Sequence, residues 1–182
     1  MLWSARASLT GVATLARYPS EAWKKASNPD VYKRQMLPRA TDQALRLLSA
    51  NGDKGFFVMI EGSHIDNGGH DNNAETVLSE IRDFDAAVKI ALDFADRTPG
   101  TLVIITGDHE TGGMTLPSDE NKFDMGKLQP GDKNRATVQF STKGHTACLI
   151  PVYAYGAGAA RFSGFMDNTD IPKRIAEALH LE

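Results

Sequence analysis

From residue 41 onward the chain alternates apolar runs with polar, glycine-rich breaks, and the spacing inside each run predicts an element. Ala44, Leu45, Leu47 and Leu48 fall on one helical stripe, which Thr41 or Asp42 would cap and Asn51-Gly52 would end. Phe56-Phe57-Val58-Met59-Ile60 is an unbroken run of β-formers, the pattern of a strand covered on both faces. It stops at Glu61-Gly62, and the stretch from Ser63 to Asn73, rich in Gly, Asn, Asp and His, reads as a loop. Val77, Ile81, Phe84, Val88, Ala91, Leu92 and Ala95 then step by three and four, the strongest helical period in the chain. Asn72 and Glu75 stand at capping-box spacing before it, and Thr98-Pro99-Gly100 stops it. Thr101 to Thr106 forms a second apolar strand.

Strand, long helix, strand is the order of a βαβ unit. Such a crossover sets its two strands parallel, with their C-terminal ends on one edge of the sheet. Open parallel sheets bind ligands beyond those ends, and polar clusters follow both strands here. Further on, Ser118 to Arg135 reads as a polar excursion around Pro130-Gly131-Asp132. Thr137 to Phe140 is a short strand, Leu149 to Tyr155 a third apolar strand, and Ile171 to Leu181 a terminal helix. Residues 1–34 hold two short apolar stretches and a polar run from Lys24 to Arg34 with the turn signal Asn28-Pro29, and no sustained period.

Composition narrows the class. The 182 residues carry 20 Lys and Arg against 23 Asp and Glu, a formal charge of −3, with no basic block. That argues for one domain and against a nucleic-acid binder, whose affinity rests on neutralising phosphates. The longest apolar candidate, Cys148 to Ala160, is interrupted by Pro151, Gly156 and Gly158, so no run approaches the roughly 20 residues of a membrane span. One cysteine makes no internal disulfide. Arg6 followed by Leu9 to Ala16 is too short and too poorly flanked for a secretory leader, so the chain reads either as cytoplasmic or as lacking its original beginning.

Three clusters could carry chemistry: Glu61 to His70, Asp108-His109-Glu110-Thr111-Gly112-Gly113, and Lys143-Gly144-His145-Thr146. Imidazole with carboxylate suits Zn²⁺, and an all-oxygen site with Glu61 suits Mg²⁺. A single His-and-acid pair on a loop is usually a solvated feature; two clusters at adjacent strand ends point to a shared ion. His64 is expected to be exposed or to stand behind the ligands, and His180 to be solvated. Cys148 reads as a small buried hydrophobe and Arg161 as a surface residue.

Glu61-x-x-x-x-Asp66-x-x-x-His70, then Thr106-Gly107-Asp108-His109-Glu110-Thr111-Gly112-Gly113-Met114, then Gly144-His145-Thr146, resembles the alkaline phosphatase family. The likeness runs from Met36 to Leu181 and includes Gly55 to Gly62, Phe84 to Ala95 and Pro151 to Gly164. It implies an α/β fold, a three-layer alkaline-phosphatase-like sandwich with a mostly parallel central sheet, here as a partial copy. Residues 36–182 would be the C-terminal part of such a domain, and residues 1–35 a segment that does not match it. The resemblance further implies that Asp66, His70 and His145 hold a first Zn²⁺, that Asp108 and His109 contribute to a second, and that Glu61 serves an adjacent Mg²⁺. In such a site two ions flank a phosphomonoester during an in-line displacement.

The family's serine nucleophile, its phosphate-gripping arginine, a bridging aspartate and a threonine ligand of Mg²⁺ belong to motifs this sequence does not carry. Ser63, Ser141 and Thr146 are hydroxyls near the clusters, but none has the nucleophile's context. The run Asn28 to Gln35 reads as a junction. The resemblance also implies a homodimer and a periplasmic or extracellular location. Two other readings stand beside the phosphomonoesterase: a non-catalytic metal-binding fragment, and a sulfatase-, phosphodiesterase- or mutase-like metalloenzyme. Without the other strands of the sheet an apolar edge would be left unpaired, so marginal stability is expected.

Overall fold

The computed structural model describes residues 36–50, 55–116 and 138–180. The expectations for residues 1–34, the helix stop at Asn51-Gly52 and the excursion from Ser118 to Arg135 lie outside them.

The first helix, α1 (Met36–Ser49), begins five residues before Thr41. Thr41 is therefore not a cap: it is buried mid-helix, and its hydroxyl donates to the Leu37 carbonyl one turn back at 2.8 Å. Thr41, Ala44, Leu45 and Leu48 form the buried stripe, while Leu47 faces outward at 62% exposure. This stripe packs on α3 (Ala74–Arg97), the 24-residue helix. Asn73, one residue later than expected, caps α3 by accepting from the Thr76 amide at 3.0 Å. Val77 and Ala87 are buried along it, Ile81 is partly exposed, and the buried residue of that turn is Asp83.

Strand β1 (Leu102–Ile105) forms where expected. Its partner is β4 (Tyr153–Gly156), antiparallel, with Leu102 opposite Gly156 and Ile105 opposite Tyr153. Segment 56–60 is extended, with Phe57 in a single bridge, and does not form a ladder with β1 among the described residues. The parallel βαβ pairing is thus not formed among them. An apolar run encodes burial but neither partner nor direction, and β4 supplies a complementary edge from the other end of the chain. Nor is segment 56–60 covered on both sides. Phe56, Val58 and Ile60 turn inward, Phe56 against Phe94 of α3 with ring centroids 6.1 Å apart, whereas Phe57 and Met59 are exposed.

The second ladder joins β2 (Glu110–Thr111) to β3 (His145–Thr146), again antiparallel. One bridge, Thr115 with Gln139, extends the same contact and accounts for the short strand expected near Phe140. A 3₁₀ turn (Ala159–Phe162) buries Phe162, and α4 (Asp170–Ala178) follows it. Among the described residues, no helix is long and apolar enough to cross a membrane.

Candidate metal centre

The stretch expected to be a loop after Gly62 instead coils into α2 (His64–His70). Gly, Asn and Asp are poor helix formers, but the turn is held from outside by close packing. A β-carbon on Gly69 would lie 2.7 Å from the Thr111 carbonyl oxygen, and one on Gly112 would lie 2.7 Å from the Gly69 carbonyl oxygen. Helix α2 and strand β2 therefore touch backbone to backbone, which only glycine permits. The α2 turn also sets Asp66 and His70 four residues apart on one face, with His70 Nε2 3.5 Å from Asp66 Oδ1.

The β2–β3 register brings in the remaining ligand candidates. Thr111 stands opposite His145, and the His145 ring stacks on that of His109 with centroids 3.5 Å apart and planes 19° apart. His145 Nε2 lies 3.3 Å from His70 Nε2. Single ligand atoms of Asp66, His109 and His145 all lie within 4.8 Å of one another. Asp108 Oδ2 is 3.3 Å from His109 Nε2.

Hydrogen bonding fixes which ring nitrogens carry lone pairs. His70 Nδ1 is 2.6 Å from the Lys143 carbonyl oxygen, which can only accept, so Nδ1 carries the proton and Nε2 the lone pair. The Thr111 hydroxyl donates to Asp66 Oδ1 at 2.6 Å, so its oxygen accepts from His109 Nδ1–H at 3.1 Å. That leaves the lone pair of His109 on Nε2 as well. The Nε2 lone pairs of His70 and His109 and the carboxylates of Asp66 and Asp108 thus converge from separate segments, a concentration of acceptors that a cation would satisfy. Mixed imidazole and carboxylate donors of this kind suit Zn²⁺.

Asp66, His70, Asp108, His109 and His145 are thus brought to one place. Glu61, exposed at the end of the extended segment, is outside the converging triad of Asp66, His109 and His145. His64 is exposed and pairs with the Asn67 side chain, and His180 and Arg161 are exposed on the far segments. Cys148 is exposed, not buried, because β4 starts only at Tyr153 and leaves residues 147–149 at the surface.

Sequence reasoning gave no role to the residues that brace the ligands. Glu110 accepts from Thr146 Oγ1 at 2.5 Å and from the amides of Gly113 and Met114 at 3.1 Å each. Burial pulls the Glu110 pKa upward, but the Thr146 hydroxyl, the two amides and nearby His109 outweigh it and hold the carboxyl below its ordinary value. These residues lie inside the quoted motifs. The signal that could have found them is a carboxylate followed closely by Gly112-Gly113, a pair that lets the chain turn back so that the amides of Gly113 and Met114 face it.

The alkaline phosphatase family model matches residues 23–130 and 118–181, starting ahead of Met36. Alkaline phosphatase 3 of Bacillus subtilis is 29% identical over 203 residues, covering 79% of this chain and 44% of its own length. Alkaline phosphatase of Escherichia coli is 34% identical over 154 residues, covering 80% of this chain and 32% of its own. A magnesium-bound variant of the alkaline phosphatase of the Antarctic bacterium TAB5 superposes with a TM-score of 0.70 at 46% identity, over 81% of this chain and 42% of that one. The chain therefore spans between about a third and just under half the length of these three relatives, and its mixed helix-and-strand structure is a partial copy of their fold. By the match across most of its length, this chain belongs to the alkaline phosphatase family.

Proposed function

We infer that the described residues form the C-terminal share of a metal centre for phosphate-monoester hydrolysis. The observation that carries this reading is the meeting of the His70, His109 and His145 rings with Asp66 at one rim, with the Nε2 lone pairs of His70 and His109 left free by their Nδ1 bonds. Asp66, His70 and His145 would hold one Zn²⁺, Asp108 and His109 would contribute to a second, and Glu61 would serve a Mg²⁺. The magnesium bound in the TAB5 variant supports a magnesium site beside the zinc pair. Divalent ions in such a pair withdraw charge from the oxygens of a phosphoryl group as it is displaced.

The protein's own groups orient the donors. Lys143 and Thr111 hold His70 and His109 in the ligating tautomer, and Thr111 aims Asp66. Thr146 is no nucleophile, since its proton is committed to Glu110. The attacking hydroxyl and the group that grips phosphate would come from motifs this sequence does not carry, and the substrate would be a small phosphomonoester. A homodimer and a periplasmic or extracellular setting fit the same reading by family.

Zinc content and phosphomonoester hydrolysis measured on one sample, with and without chelator, test it. Bound zinc with hydrolysis that the chelator abolishes supports the full reading. Bound zinc without hydrolysis leaves a metal-binding fragment. A chain that takes up no zinc refutes the assignment.

A further inference from the structure

The β2–β3 ladder that carries the ligand geometry has two residue pairs, Glu110 with Thr146 and Thr111 with His145. So short a pairing is marginal by itself, yet it must hold the His109 and His145 rings stacked 3.5 Å apart. Glu110 stands next to His109 in sequence, and Thr146 stands next to His145. The Glu110 carboxylate crosses the ladder: Oε2 takes the Thr146 hydroxyl and the Gly113 amide, and Oε1 takes the Met114 amide. One side chain thereby ties the β2 strand, the turn after it and β3 together. It touches none of the ligand atoms.

We propose that Glu110 is a positioning residue of the metal centre, a clamp that sets the separation of His109 and His145 before any ion arrives. The proposal rests on the metal reading above. A charged carboxylate receiving three donors at a half-buried position is a strong anchor, and its partners are two backbone amides and a hydroxyl with no other acceptor among the described residues. Thr111 completes the arrangement on the other flank, fixing Asp66 and His109 through one hydroxyl.

The test is zinc affinity by chelator competition on the full chain, alongside the Co²⁺ visible spectrum and the melting curve of the metal-free protein. Groups that orient ligands are worth about 10–100-fold in metal affinity, and Glu110→Ala is expected to lose that much and to distort the Co²⁺ bands. Glu110→Gln keeps one acceptor oxygen and should fall between. Thr146→Val removes only the hydroxyl and should lower affinity while the metal-free melting curve stays close to that of the parent. Adding Thr146→Val to Glu110→Ala should cost nothing further.

Wild-type affinity in Glu110→Ala, with His145→Ala losing zinc, overturns the clamp and leaves the metal centre standing. If Glu110→Ala fails to fold, Thr146→Val decides: unchanged affinity and spectrum there overturn the proposal. A parent chain that binds no zinc overturns the metal reading first, and the clamp with it.

Discussion

Asp83 is the buried acid of the α1–α3 interface, 8% exposed, and it offers a quantitative test of how these helices pack. One of its oxygens accepts from the Leu37 amide in the first turn of α1, while Oδ1 has no hydrogen-bond partner among the described residues. Burial, then repulsion from Glu80, raise its pKa from 3.8 to about 6, and the Leu37 bond only partly opposes them. A carboxyl whose pKa is raised on folding binds its proton more tightly in the native state. Its protonated form therefore favours folding, and stability is lost as pH rises through the window from 3.8 to about 6.

A shift of this size corresponds to about 3 kcal/mol between the two limits, and to about 1.3 kcal/mol between pH 5 and pH 7. The perturbation is Asp83→Asn, which keeps an acceptor for Leu37 and removes the titration. The assay is urea denaturation followed by circular dichroism at pH 5, 6 and 7 with chelator present, so that all other groups cancel in the difference between the two proteins. The parent should gain about 1.3 kcal/mol relative to the variant on going from pH 7 to pH 5. A difference that stays constant over that range, or that runs the other way, refutes the packing argument.

Other outcomes follow from the same geometry. Leu48→Ala, at a site 5% exposed, should cost about 2–4 kcal/mol of stability by leaving a cavity between α1 and α3, read from the urea midpoint. Gly69→Ala places a methyl 2.7 Å from the Thr111 carbonyl and must push β2 off α2. It should cost about 1–3 kcal/mol and weaken zinc binding together, and an unchanged variant would refute the backbone contact. His145→Ala removes a proposed ligand, and dialysis should show a larger loss of zinc than Glu110→Ala or Thr146→Val, since groups that only orient ligands are worth about 10–100-fold. The chain without metal should melt at low temperature with a broad transition, given Phe57 and Met59 left facing outward, and a sharp, high transition in calorimetry would contradict this.

Much of this arrangement is legible in the sequence, for identifiable reasons. The three-and-four period of Val77 to Ala95 and the run Leu102 to Ile105 are dominated by their own side chains, so pattern alone finds α3 and β1. The start of α1 is missed because Met36-Leu37-Pro38 carries few period signals, although proline in a first turn is itself a start signal. Helix α2 is missed because its residues oppose helix formation locally and are overruled by the fit of Gly69 against β2. The partner of β1 is missed because β4 lies about fifty residues away and apolarity carries no address. The metal candidates fare differently. Their residue types and spacing mark Asp66, His70, Asp108, His109 and His145, but the bracing by Lys143, Thr111 and Glu110 depends on backbone carbonyls, hydroxyls and ladder register that a one-dimensional pattern does not display.

Everything turns on whether His70, His109 and His145, and not the other two imidazoles, take up shared ions, His70 and His109 through bare Nε2 atoms. Long-range ¹H–¹⁵N correlation spectra of the five histidines during a zinc titration address it most directly. Zinc is expected to move the Nε2 resonances of His70 and His109 and one ring-nitrogen resonance of His145 to metal-bound positions while Nδ1 of His70 and His109 stays protonated, and to leave His64 and His180 unchanged. Five equal small shifts, or a response confined to His64 or His180, would contradict it.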